Sequence, residues 1–266
     1  MQEDLVPQKS SSMQLRVIGS LVALTLGTLA ACTNSTGPKS RYPLKLSIST
    51  RARAASGALA SLSRASSFSL GGGPSRALTF GPAGEIVITK AQIVLDHIEL
   101  SPSEGLTCNG DGPKECEELD QDAMIVDLPV TPGLITALTV PVTSGTFVAL
   151  QAELQSPKRG IPGRPEFDGK SVRIEGTYKG IPFLYTSNAK ASIEMSFNPP
   201  VVVTAASRNI TVNIDISRWF LTADGVAIDP ATANLDGPNE RLVKKNIKAS
   251  FSAFSDDRET GREDGK

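Results

Sequence analysis

Chemistry in this chain has few side chains to draw on: three cysteines at positions 32, 108 and 116, a single histidine, His97, and scattered carboxylates. Cys108 and Cys116 lie close enough in sequence to form a disulfide or to share a metal. Zinc sites built on two thiolates usually draw two further Cys or His ligands, and His97 alone does not complete such a set. The loop between residues 101 and 122 carries Glu104, Asp111, Glu115, Glu117, Glu118, Asp120 and Asp122 against Lys114 alone. Calcium prefers several oxygen ligands, so Asp111, Glu115, Glu117, Glu118, Asp120 and Asp122 are the candidates for a calcium site. Their spacing matches no recognised calcium loop, and acidic runs are ordinarily solvated. No metal ligand is assigned.

Catalysis by carboxylates would need two acids that meet in space, about 5 to 9.5 Å apart for glycoside hydrolysis. Asp96, Glu99, Asp215 and Asp229 are the acids nearest expected strands, and most such residues simply face water. Residues 163–171, GRPEFDGKS, approach a phosphate-binding loop, but the glycines are one residue too far apart and Pro165 stands where backbone donors are needed. No nucleophile elbow, metal-binding histidine pair or dinucleotide fingerprint is present. Trp219 and Phe220 beside Asp224-Gly225 could offer a sugar-stacking platform, although packing is the commoner use of such a pair. No catalytic residue is assigned, and the chain is not expected to be an enzyme.

The most informative chemistry is at Cys32. Residues 13–31 have a start carrying Arg16, an apolar run over 17–26 and small residues before the cysteine, the zones of a secretory signal. The run is shorter than the roughly 20 residues a bilayer span needs. The string Leu29-Ala30-Ala31-Cys32 resembles the lipobox of bacterial lipoproteins. That resemblance implies cleavage before Cys32 and acylation, with palmitate-type chains, of its thiol and of the new amino terminus. Two or more acyl chains hold a protein on a membrane far better than one, so Cys32 becomes an anchor. Thr33, in place of the Asp that tends to retain such proteins at the inner membrane, leans toward the outer membrane. Residues 1–31 are read as the signal, with Met13 an alternative start. Once Cys32 carries lipid, Cys108 and Cys116 remain as an even pair in an oxidising compartment and are expected to be bridged. Closing so short a loop stabilises the fold by about 2.5 kcal/mol on a chain-entropy argument.

Net charge is −1 from 27 basic and 28 acidic residues. Glu3, Asp4, Lys9 and Arg16 in the signal cancel, so the exported product is also near neutral. A nucleic-acid binder collects a basic excess, and nucleic acid is not an expected partner. Removing 31 of 266 residues leaves 235, enough for an ordinary hydrophobic core.

The elements that must position these residues are strands. Residues 32–43 are Thr, Ser, Gly and Pro-rich, a tether from the lipid. The folded domain is expected over 44–254, with Leu44, Leu46 and Ile48 opening it at the alternating period of a half-buried strand. Residues 51–82, rich in Ala, Ser, Gly and Arg, are expected to be a long mobile loop. From Ile86 to Leu100 the pattern gives one long strand or a bulged pair, because the apolar parity shifts between Leu95 and Ile98, at His97. Further strands are expected around Val126, Val148, Ile174 and Met195, a hairpin turns at Lys179-Gly180, and a last strand runs over 210–220. Asn198-Pro199-Pro200 is expected to stop the strand that carries Ile193, Met195 and Phe197, with a separate short strand following over 201–204. Val243, Ile247, Phe251 and Phe254 repeat at helical spacing, giving an amphipathic helix over 239–254, followed by a charged, frayed tail over 255–266. Closely spaced strands with almost no helix indicate an all-β, antiparallel β-sandwich, immunoglobulin-like or transthyretin-like.

The stretches ITKAQIVLDHIEL, SGTFVALQAEL, FDGKSVRIEGTYKGIPF, DISRWFLTADGVAIDP and LVKKNIKASFSAFSDD together resemble a group of uncharacterised bacterial lipoproteins, over residues 85–257. The resemblance implies an exported β-sandwich and supplies no catalytic residues. Arg258 and Thr260 depart from the Asp-richer tail of that group, which counts against a metal there. The expected function is that of a membrane-anchored envelope module that binds or builds, with an envelope glycan or protein as partner. The alternatives are a glycan hydrolase using paired carboxylates and a calcium-stabilised adhesin. Ligand and oligomeric state are not legible.

Overall fold

Alternation sets the smaller of two sheets. In β1 (Arg41–Ser49) Leu44, Leu46 and Ile48 are buried on one face while Lys45, Ser47 and Ser49 turn to the other. It lies between β6 (Leu134–Thr143) and β11 (Asn209–Ile214), and β12 (Phe251–Ser255) closes the sheet beyond β11. The β1–β11 pair is parallel and the other pairings are antiparallel. The computed structural model describes residues 40–50, 77–103, 116–120, 122–131, 133–157 and 160–264, all within a unit spanning residues 39–266.

The larger sheet is built on β3 (Ile86–Pro102), a strand of 17 residues. One edge of β3 takes β2 (Leu78–Phe80), β5 (Met124–Leu128) and β4 (Glu117–Asp120) in turn. Because β5 occupies that edge at residues 91–95, Ile93 must pair with Val172 and Leu95 with Leu154 across the other. So β8 (Val172–Tyr178) and β7 (Gly145–Leu154) stand end to end beside β3, and β9 (Ile181–Ser187) and β10 (Ala191–Val203) stand end to end beyond them. The half with β4, β7 and β10 packs against the small sheet, where Leu46, Ile210 and Val212 join Leu150, Met195 and Phe197 in one core. The half with β2, β8 and β9 is covered by two 3-10 turns, Ile216–Arg218 and Pro230–Ala233. Phe220 there meets Tyr185 and Phe183 edge to face, with centroids 5.1 and 6.0 Å away. The fold is all-β and sandwich-like, with one α-helix among the described residues.

That helix, α1 (Glu240–Lys248), buries Val243 and Ile247, and Lys244 beside Glu240 holds the carboxyl below its ordinary pKa. It is shorter than the helical spacing suggests. Phe251 and Phe254 lie on β12, because the free edge of β11 supplies hydrogen-bond partners that a continued helix would forgo. The strand expected over 210–220 likewise stops at Ile214: Asp215 N–H donates to Ser250 O, and the chain turns into the first 3-10 segment. The hydrophobic alternation of residues 212–216 alone does not reveal this.

Other expectations shift in the same way. β1 begins at Arg41, so the last residues assigned to the tether belong to the sheet, and β2 lies within the stretch read as a loop over 51–82. Asn198-Pro199-Pro200 does not stop β10, which resumes its pairing with β7 at Val201 after a register shift; β10 is an outer strand, where missing donors are tolerated. β6 was hidden by Pro141 and by its run of small and β-branched residues, and it too is an edge strand. The tail is not frayed through residue 264. Asp256, fully buried, accepts at Oδ1 from Thr260 N–H (2.8 Å) and the Thr260 hydroxyl (3.2 Å), and at Oδ2 from the Thr211 hydroxyl (2.9 Å) and Gly261 N–H (2.7 Å). Lys179 and Gly180, both at positive φ, make the tight hairpin expected between β8 and β9.

Candidate functional site

The parity shift in β3 is a β-bulge, and it falls where the strand passes from β8 to β7. His97 adopts φ 46°, a left-handed conformation that costs a non-glycine residue about 1 kcal/mol or more. Asp96 offsets this: Oδ1 accepts His97 N–H at 3.0 Å, and Oδ2 accepts the Gln155 side-chain amide at 2.7 Å. The imidazole remains 54% exposed, with Nε2 3.8 Å from Asp96 Oδ1, while the Asp96 side chain is 12% exposed. Asp96 therefore clamps the bulge to the end of β7.

Around this clamp the outward face is acidic. Glu153 is the Cα partner of Asp96, Glu99 is paired with Gln151 and Glu118, and Glu194 on β10 is paired with Gln151. Of the four catalytic-acid candidates, Asp96 and Glu99 thus share one face of β3, and the acid opposite Asp96 is Glu153. Both oxygens of Asp96 are engaged in shaping the bulge, a positioning task. Asp215 is buried, receives the Ser217 hydroxyl and has Arg218 Nε 3.7 Å away. Asp229 caps the turn Pro230–Ala233 by accepting Ala231 N–H at 2.9 Å. The structure does not bring these last two to the acidic face.

Among the described residues no group of three or more His, Cys, Asp or Glu side chains converges in a way that could hold a metal ion. Cys32, Cys108, Asp111 and Glu115 lie outside the described residues. Cys116 directly precedes β4, Glu118 is half-buried on it, and Asp122 is exposed just after it. Glu117 and Asp120 belong to β4, their side chains outside the described set.

No protein-family model and no curated protein matches the chain. Among solved structures it is similar to MbnP from Methylosinus trichosporium, at 12% identity and a TM-score of 0.45, over 80% of this chain and 98% of that one.

Trp219 and Phe220 are fully buried, and the indole N–H donates to Ser250 Oγ at 2.9 Å. They pack the core and offer no stacking platform. Residues 163–171 hold a 3-10 turn, Pro165–Phe167, that buries Phe167. In the tail the Asp256 oxygens are occupied by hydroxyl and backbone donors, and Thr260, which departs from a calcium pattern, supplies two of them. Two features escaped sequence reasoning. Tyr185 is fully buried with its hydroxyl unpaired among the described residues, and burial pushes its pKa up to about 12. Ser187 is close enough to oppose that shift, but the geometry makes no bond to the phenol, and Ser187 Oγ accepts Ala189 N–H. Asn234 places its side chain on the edge of β9 that pairs with no other strand among the described residues. Neither residue belongs to a motif; each acquires its setting only from packing.

Proposed function

We propose that this protein is a lipid-anchored module of the bacterial cell envelope, acylated on Cys32 and held at a membrane, the outer one favoured, where it binds or builds and does not catalyse. The observation that carries the reading is LAAC at the end of the apolar run over 17–26. The resemblance of five stretches to uncharacterised bacterial lipoproteins supports it. The chain enters the sandwich beside the β6–β7 turn, where Ser40 O accepts Ser144 N–H, and β3 runs away from that end for 17 residues, roughly 50 Å at a strand's rise. At the far end the β2–β3 turn, the Lys179-Gly180 turn and the loop over 222–226 come close: Lys179 N–H donates to Glu85 O, and Gly81 faces Ala227. Turns gathered on a rigid sheet are a common place for binding. The apolar recess between Leu44, Leu46, Leu119, Val140 and Ile210 has no room even for a water molecule, far short of the few hundred Å³ of a usual small-molecule site. A partner would be met on the surface.

The test is the intact mass of protein extracted from membranes, wild type beside Cys32→Ser. The expected wild-type product begins at Cys32 and carries added acyl mass, and the variant lacks it. An unacylated, soluble wild-type product would overturn the anchor.

A further inference from the structure

The edge of β9 is partly filled in an informative way. Because Tyr185 is hydrogen-bonded to β8, the backbone groups of Pro182, Leu184 and Thr186 point away from it. Thr186 N–H donates to Asn234 Oδ1 at 2.9 Å, and Asn234 Nδ2 donates to Leu184 O at 3.3 Å. A carbonyl at residue i−1 and an N–H at i+1 are the pair that one residue of a parallel strand would engage. The Asn234 amide thus stands in for a single peptide unit of a missing parallel strand, opposite Tyr185.

The next such position, opposite Phe183, consists of Pro182 O and Leu184 N–H. The position after that lacks a donor, since Pro182 has no N–H. Beside this short stretch the side chains are apolar and unusually exposed: Ile181 at 70%, Leu184 at 50% and Leu235 at 53%. Ile181 and Leu184 flank the edge on opposite faces of β9, so an incoming strand would meet apolar side chains on both sides of its backbone.

We propose that this edge receives the C-terminal end of an extended, apolar segment of a partner polypeptide, running parallel to β9. The direction follows from Asn234. A parallel strand advances toward the position that Asn234 fills, so the incoming segment ends or turns away there. An antiparallel strand would need both Leu184 N–H and Leu184 O, and the carbonyl is already taken. The same conflict bars two copies of this edge from pairing about a two-fold axis, so a second copy of the chain is not the occupant. The recognition is strand addition, in which main-chain bonds give affinity and flanking side chains give selectivity. It rests on the reading of the domain as a binding module, and not on the anchor.

The experiment uses the full chain in detergent, both wild type and Cys32→Ser, and the N-terminally fluorescein-labelled peptide Val-Thr-Val-Thr-Val with a free carboxylate, followed by anisotropy. Saturable binding, equal in the two proteins and accompanied by slowed hydrogen exchange at the Leu184 amide, is expected. Leu184→Pro, which removes the donor, should weaken binding at least tenfold. Asn234→Ala should tighten it by about thirtyfold by exposing one more peptide position, two hydrogen bonds at about 1 kcal/mol each. Asn234→Asp, which keeps the acceptor for Thr186 N–H, should tighten it less. Absence of saturable binding up to millimolar peptide, slowed exchange elsewhere but not at Leu184, or equal affinity in a folded Leu184→Pro variant would overturn the proposal while leaving the acylation result standing. A requirement for Cys32 would overturn it as well, since the site would then depend on the anchor.

Discussion

Removing one oxygen atom should make this protein more stable. Tyr185 is fully buried, and its hydroxyl has no hydrogen-bond partner among the described residues. Burying a hydroxyl without compensation costs about 1 to 3 kcal/mol on mutational scales. Tyr185→Phe removes that cost and keeps the edge-to-face contact with Phe220, but leaves a small void, so a net gain of about 1 kcal/mol is expected at pH 7. For a domain of this size that raises Tm by about 2 to 4 °C. The second half of the prediction is its pH dependence. Burial raises the phenol's pKa from 10 to about 12, so the unfolded chain ionises first. The stability linked to the neutral phenol is fully present below pH 10 and is lost as pH rises through 12. With two pKa units at about 1.36 kcal/mol each, the loss approaches 2.7 kcal/mol, and about half of it is gone by pH 11. Urea unfolding of wild type and Tyr185→Phe at pH 7, 9, 10 and 11 isolates this term, because every other titrating group is common to both. The advantage of the variant should be flat to pH 9 and then widen by about 1.4 kcal/mol at pH 11. A variant less stable than wild type by more than 1 kcal/mol at pH 7, with no widening above pH 10, would mean that the phenol is hydrogen-bonded and the reasoning is wrong.

Three further outcomes are expected. A Cβ at Gly176 would lie 2.0 Å from Val87 O and 3.0 Å from Val87 C, backbone atoms that cannot yield cheaply. Gly176→Ala should cost about 3 kcal/mol and lower Tm by roughly 6 °C or more, as measured by circular dichroism; a shift within 1 °C would show that β3 and β8 separate freely. Asp256→Ala strands the Thr260 and Gly261 N–H groups, so a loss of about 3 kcal/mol is expected, the same in calcium and in chelator; a loss that appears only with calcium present would restore a metal reading for the tail. Asp96→Ala should cost about 1 to 2 kcal/mol and speed amide exchange at His97, whereas Asp96→Asn, which can still accept from His97 N–H, should retain most of the stability. Equal effects of the two substitutions would remove the clamp from the account of the bulge.

Much of the scaffold is legible in the amino-acid sequence because two signals are local. Alternation at Leu44, Leu46 and Ile48, or at Val172, Ile174 and the following glycine, reports a strand with one face in a core, whatever its partner. The parity shift at His97 reports a bulge, since an extra residue on one strand reverses every side chain after it. The turn at Lys179-Gly180 is legible for the same reason: positive φ at two successive positions is a property of those residues and of the hairpin they close.

Pairing partners, and everything that depends on them, are decided by the tertiary structure. Spacing cannot say that Phe251 and Phe254 continue as a strand rather than a helix, because the period changes only where β11 offers an open edge. The tail folds back only because Thr211 waits beside Asp256, 45 residues away in sequence, and Trp219 is core rather than surface only because Ser250 meets its indole. Asn234 reads as an ordinary loop residue until β9 lies next to it. Local periodicity constrains φ, ψ and face. Which unpaired backbone groups and buried polar atoms find partners is a property of contacts between distant segments, so the strands with one strongly apolar face were legible in the chain while β2, β6, β12, the acidic face, the unpaired phenol and the half-filled strand edge emerged only in the folded protein.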